Sequence, residues 1–149
     1  MPFSLDVIEQ DVLDFLTTTV FPGQEVFEEA IPDIRTLKRT ATGAVDPYVV
    51  VQLGDTQPWG ASSFVGPRGD DYSLPVYLQM VVPVPSIGRK LRSRAIDLFL
   101  GASFDWAGDV RKRVSGGQFP IKNSDGAVEA YLYPASFGIL IQLHTITAP

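Results

Sequence analysis

The apolar positions of this chain switch between a helical and an extended period in a readable order. Leu5, Ile8, Val12, Phe15 and Leu16 recur at helical spacing and predict a helix over residues 5–19. Ser4 is placed to cap it, Asp6 lies near its positive end, and Pro22-Gly23 stops it. Glu25–Ile31 reads as a strand ended by Pro32, and Ile34–Thr40 as a second strand before a turn at Thr42-Gly43. Tyr48–Leu53 is β-branched and apolar on both faces, which predicts a central strand. Leu74–Val82 predicts another strand, ended by Pro83 and Pro85. Ser86 then caps a helix over 87–100, with Gly101 at its end.

Beyond that helix, Phe104–Ser115 reads as a loop or short helix, broken by Gly116-Gly117. Phe119–Lys122 predicts an edge strand, because Pro120 lacks a backbone donor. Asn123–Gly126 is a turn. Val128–Tyr133 and Phe137–Thr147 read as two strands of a final hairpin joined through Pro134-Ala135-Ser136. The order predicts a single α+β domain over residues 1–149, with a largely antiparallel or mixed sheet and two main helices on one face. Residues 54–73 show no period. A loop of this length in a compact domain tends to carry function or disorder, and its Trp59 and Phe64 call for a partner surface unless they fold back on the core.

Two charges interrupt the helical stripes. Glu9 falls between Leu5 and Leu13, either snorkelling at the stripe's edge or aimed at a partner base. Arg94 falls between Leu91 and Leu98, where it pairs with Asp97 one turn on or reaches a carboxylate elsewhere, Glu9 included. The stripe of the second helix is widened past half its circumference by Ile96, Phe99 and Leu100, which calls for cover on more than one side.

Charge changes the picture more than composition does. The first 34 residues carry eight acids and no base, and the remainder carries twelve bases against nine acids, so a chain of net charge −5 has an acidic start and a basic remainder. Such a chain either solvates an acidic helix or binds a copy of itself head to tail, closing a ring or running on as a filament. The candidate subunit-interface residues are Glu9, Asp11, Asp14, Arg89, Arg92 and Arg94. Arg68, Arg111, Lys112 and Arg113 join Trp59 and Phe64 as candidates for contact with another protein. The acidic balance and the lack of interleaved aromatics argue against nucleic-acid recognition. No apolar run reaches the roughly 20 residues that span a bilayer, and no signal peptide is expected.

Chemistry is sparse. The chain has no cysteine and one histidine, His144, inside the last predicted strand. No zinc-type ligand set, nucleophile elbow, phosphate loop or dinucleotide fingerprint is present. Asp55, Asp70 and Asp71 match no calcium-loop spacing, and Arg68-Gly69-Asp70 is a tripeptide of a kind that arises by chance. The expectation is a protein without catalytic activity, metal or cofactor.

Several of these features together resemble the tail terminator proteins of phages with long, flexible, non-contractile tails (the lambda-type family). They are the leading acidic helix, the block Asp46-Pro47-Tyr48-Val49-Val50-Val51-Gln52-Leu53-Gly54-Asp55 and the Gly-rich loop after it. The strand Val76-Tyr77-Leu78-Gln79-Met80-Val81-Val82, the Arg-rich helix and the final hairpin complete the pattern. The resemblance implies a small domain that assembles as a hexameric ring, caps the tail tube, ends its growth and offers the surface that joins the head. The implied partners are further copies of the chain, the tail tube protein and a head-completion or neck protein. The implied location is the head-proximal end of the tail, after assembly in the host cytoplasm. Another phage neck or head–tail joining protein shares this logic. A small-molecule-binding or enzymatic α+β domain is the reading of a different class.

Overall fold

A computed structural model describes residues 5–28, 39, 41, 43–55, 57–58, 71–112, 116–122 and 124–142. Helix α1 (Leu5–Phe15) runs into a π-helical turn at Leu16–Val20. Strands β1 (Glu25–Glu28), β2 (Tyr48–Leu53), β3 (Gln57–Pro58) and β4 (Asp71–Val82) follow. Helix α2 (Pro85–Leu100) leads into β5 (Ala107–Lys112), β6 (Phe119–Lys122) and β7 (Val128–Gln142). The strands form one mixed α+β sheet in the order β1-β2-β4-β7-β5, with β3 on β4 and β6 on β7. Only β1 with β2 is parallel; the other pairs are antiparallel.

Side-chain alternation sorts the sheet into two faces. Val49, Val51, Val76, Leu78, Met80, Tyr133, Ala135, Phe137, Ile139 and Ile141 point to one face and pack with both helices. Tyr48, Val50, Val81 and Ala130 form a smaller cluster on the other face, with Val45. The predicted central strand is therefore central, flanked by β1 and β4, and buried on both faces from Tyr48 to Val51.

The π turn has a geometric cause. Ile8, Val12, Leu16 and Val20 are all fully buried, yet a four-residue step overshoots an α-helical turn by about 40°. The wider π turn takes back part of that drift and keeps Val20 on the core side. Thr17 and Thr18 turn their hydroxyls onto the carbonyls of Leu13 and Asp14, and Phe21 donates to Leu16 O at 2.8 Å to close the turn. Helical structure thus extends one residue past the predicted end.

Four expectations are corrected. Ser86 does not cap α2. Val84 holds the cap position in extended conformation, and Pro85 begins the helix, where its missing donor costs nothing. Residues 107–112, expected as loop or short helix, are the edge strand β5. The long loop is shorter at both ends, because 57–58 pair with 72–73 and β4 begins at Asp71; Trp59, Phe64 and Arg68 lie outside the described residues. The final hairpin is one continuous strand, since β7 runs straight through Pro134.

Hydrogen-bond parity explains how β7 tolerates its proline. Gly54 N–H donates to Pro75 O at 2.9 Å, so odd residues of β4 turn their backbone groups toward β2 and even ones toward β7. Leu78 opposes Ala135, so Ala135 bonds β4 while Pro134 turns its nitrogen to the other side. Among the described residues no strand pairs with that side of β7 at residue 134: β6 ends its pairing at Leu132 and β5 begins at Phe137. No ladder bond is lost. Pro75 likewise sits at the last rung, where β2 ends.

Helix α2 comes close to the sheet at Gly88. A Cβ there would lie 2.3 Å from two ring carbons of buried Tyr133. At an ordinary helical site Gly→Ala gains about 1 kcal/mol. Gly88→Ala will instead destabilise by about 1–3 kcal/mol through overpacking, read as a lower urea midpoint. An unchanged or raised midpoint would show that the ring yields freely.

Burial raises the Tyr48 phenol above its ordinary 10.0. The neutral form is favoured by folding, so its contribution is whole below pH about 10 and is lost as pH climbs through the higher folded value. Tyr48→Phe will therefore lose less stability between pH 9 and 11 than the parent chain. Equal losses in the two proteins would exclude this account.

Candidate functional site

The candidate interface residues divide into those the subunit uses internally and those it leaves outward. Asp11 is internal. Its Oδ2 accepts the indole N–H of Trp106 at 2.9 Å, and Trp106 is 1% exposed. Trp106 stacks on Phe104 at 4.9 Å, Phe104 meets Phe15 edge-on at 5.4 Å, Phe15 meets Phe99 edge-on at 5.3 Å, and Phe99 stacks on Phe137 at 4.6 Å. This aromatic series ties α1, α2, the 102–106 segment and β7 together, and Asp11 serves its polar end.

Arg94 is internal too, in neither way its position suggested. Its Nε donates to Val20 O at 2.9 Å and an NH2 group to Thr19 O at 3.0 Å. A cation on the last carbonyls of a helix satisfies acceptors that have no intrahelical partner and opposes the negative end of the helix dipole. Arg94 is paired with neither Asp97 nor Glu9. It is a C-terminal cap for α1 supplied by α2.

Arg92, two residues before Arg94 in the middle of α2, makes a second tie. Its guanidinium lies 4.8 Å from the Tyr133 ring centroid and donates to Gly117 O at 2.6 Å. Tyr133 in turn donates its hydroxyl to Gln118 Oε1 at 2.7 Å. Arg92, Tyr133 and Gln118 fasten the start of β6 beneath the helix. The sequence signal for this contact was Gly88, a glycine inside a helix with a packing reason. Trp106, Tyr133 and Gln118 had no such signal.

Asp14 is exposed and accepts from Gln10 at 2.8 Å, one turn back on the same helix. Glu9 is half-buried and lines a cavity of about 40 Å³ with Leu13, Glu28, Val51 and Leu53. Organic ligands occupy pockets of about 300–1,000 Å³, so this one is too small for them. Glu9 also places α1 above the β1–β2 side of the sheet. A shallower cleft of about 310 Å³ is lined by Gln52, Leu53, Gly54 and Tyr77, with no carboxylate, amine, guanidinium or imidazole among them. Among the described residues, no three His, Asp or Glu side chains gather as a metal site. No helix among them is long and apolar enough to cross a membrane.

The outward bases are Arg89 and Lys90 on α2, Arg111 and Lys112 on β5, and Lys122 on β6, all exposed. Arg113 and His144 lie outside the described residues. The strand order sets these bases apart from the acids. Glu25 and Glu28 lie on β1 at one side of the sheet, beneath the acidic α1, and β5 and β6 lie at the other. Asp97, Asp105, Asp125 and Asp109 of β5 itself dilute the basic side without reversing it, and Glu129 beside β6 is taken up by Arg39 at 3.5 Å.

Arg94→Ala will cost about 1–2 kcal/mol in urea unfolding, at the low end for hydrogen bonds to a charged group because the side chain is exposed. Arg89→Ala will stay within about 0.5 kcal/mol. Glu9→Gln combined with Arg94→Ala will be additive within about 0.5 kcal/mol. A larger coupling would reveal a contact between the two that this geometry does not contain.

No protein-family model matches the chain, and no curated protein matches it in sequence.

Proposed function

We propose that this chain is a structural virion subunit of the tail terminator kind, forming a ring that caps the tail tube, ends its polymerisation and presents the head-joining surface. The supporting observation is the layering of the elements that carry the resemblance. The acidic helix, the central strand at 48–53, the strand at 71–82 and the Arg-rich helix meet in one mixed sheet with both helices on one face. This leaves the two sides of the sheet different in charge, as a subunit that meets its copies head to tail requires. Its partners in this role are further copies of itself, the tube protein and a neck protein, and the work it does is contact rather than catalysis.

Electron microscopy of particles made without this protein tests the role. Over-long tails are the expected result. Headless tails of normal length would assign it to head joining instead, and tails and heads assembled normally would remove it from the tail altogether.

A further inference from the structure

We propose that the two lateral sides of the sheet are the two halves of one contact between copies, with the β1 side of one subunit docked against the β5–β6 side of the next. This rests on the ring-forming reading and adds to it the surface that makes the ring. Among the described residues β1 pairs only with β2, and β5 and β6 pair only with β7, so both sides end the sheet. The β1 side carries Glu25 and the exposed Glu28. The opposite side carries Arg111, Lys112 and Lys122, all exposed, and one acid, Asp109 of β5. Glu28, Lys112 and Lys122 make no ion pair with a described residue, so their charge is available to a neighbour.

The occupant is a second copy because the two sides oppose in net charge, −2 on β1 against +2 on β5 and β6 together. A contact between two different sides of one molecule is heterologous, and it closes into a ring when its rotation permits. The rows also match in scale: at about 3.3 Å per residue, four-residue β1 fits within the length of six-residue β5. Apolar groups are present to back the charges. Val26 and Phe27 on β1, and Val110 and Ile121 opposite, are half-buried, and Phe119 is 55% exposed. Strand addition at β6 is blocked. Phe119 and Ile121 oppose Leu132 and Ala130, which bond toward β6, so the donorless Pro120 faces outward. Side chains therefore make this part of the contact. Charged rims of this kind orient docking and speed it, and they weaken as salt rises.

The test uses the full chain, with tail tubes added to seed assembly. A zero-length carbodiimide joins carboxylates only to amines in direct contact. Glu28 and the lysines sit on opposite sides of a sheet about 19 Å across, at about 4.8 Å per strand spacing, so a bond from Glu28 to Lys112 or Lys122 must join two subunits. Such products are expected in assembled protein. Their absence from assembled protein overturns the proposal.

Charge reversal gives the second measurement. Glu25→Lys with Glu28→Lys makes both sides basic; Arg111→Glu, Lys112→Glu and Lys122→Glu together make both acidic. Each variant, with circular dichroism confirming its fold, should associate at least tenfold more weakly in sedimentation, and an equal mixture should recover association. Variants that assemble like the parent, or a mixture that fails to recover, overturn the docking surface while the parent's own rings leave the terminator reading standing. A parent chain that stays monomeric with and without tubes removes both.

Discussion

The stack of Phe99 on Phe137 is the contact on which the rest of this subunit depends. It presses α2 onto the middle of β7, the longest strand, and through Phe15 it presses α1 against α2. Both rings are fully buried. Once the helices are held side by side on one face, Arg94 reaches the carbonyls that end the π turn, and Asp11 reaches Trp106. These polar ties are of modest strength individually. Their effect is to fix how the two helices sit relative to each other after apolar burial has brought them together.

This division of labour changes the meaning of the charge split. The acids and bases nearest the helix–helix seam are consumed inside the subunit, as a cap in the case of Arg94 and an indole acceptor in the case of Asp11. Arg92 clamps Tyr133 and the residues before β6. What remains for a partner lies farther out, on the strands that end the sheet. The sequence split survives folding in the strands, because acidic β1 ends the sheet on one side while β5 and β6 follow β4 in the chain and are laid down on the other; α1 itself lies against α2 over one face.

The helices, the central strand and the apolar strand at 74–82 are legible because burial imposes a period on their side chains. Tyr48–Leu53 matches its predicted bounds, and α2 differs only at its start. The strand corrections share one cause: local residue chemistry does not contain the neighbouring strand, whereas the start of α2 is a local matter of Pro85. Pro134 marks a break unless one knows that its nitrogen faces the gap between β5 and β6. Residues 107–112 show no apolar alternation, being an edge strand with Arg111 and Lys112 outward, and only pairing with β7 identifies them. The roles of Arg94 and Asp11 were hidden for the same reason, since both partners are more than 70 residues away in sequence.

In the proposed role this α+β subunit works by joining copies of itself at the end of a tube. Cryo-electron microscopy of purified tail tubes incubated with the protein tests this most directly. A closed ring of this chain seated on one end of each tube, with the β1 side of each subunit facing the β5–β6 side of the next, is the predicted image. Bare tube ends, or density for isolated single subunits along the tube wall, would contradict it.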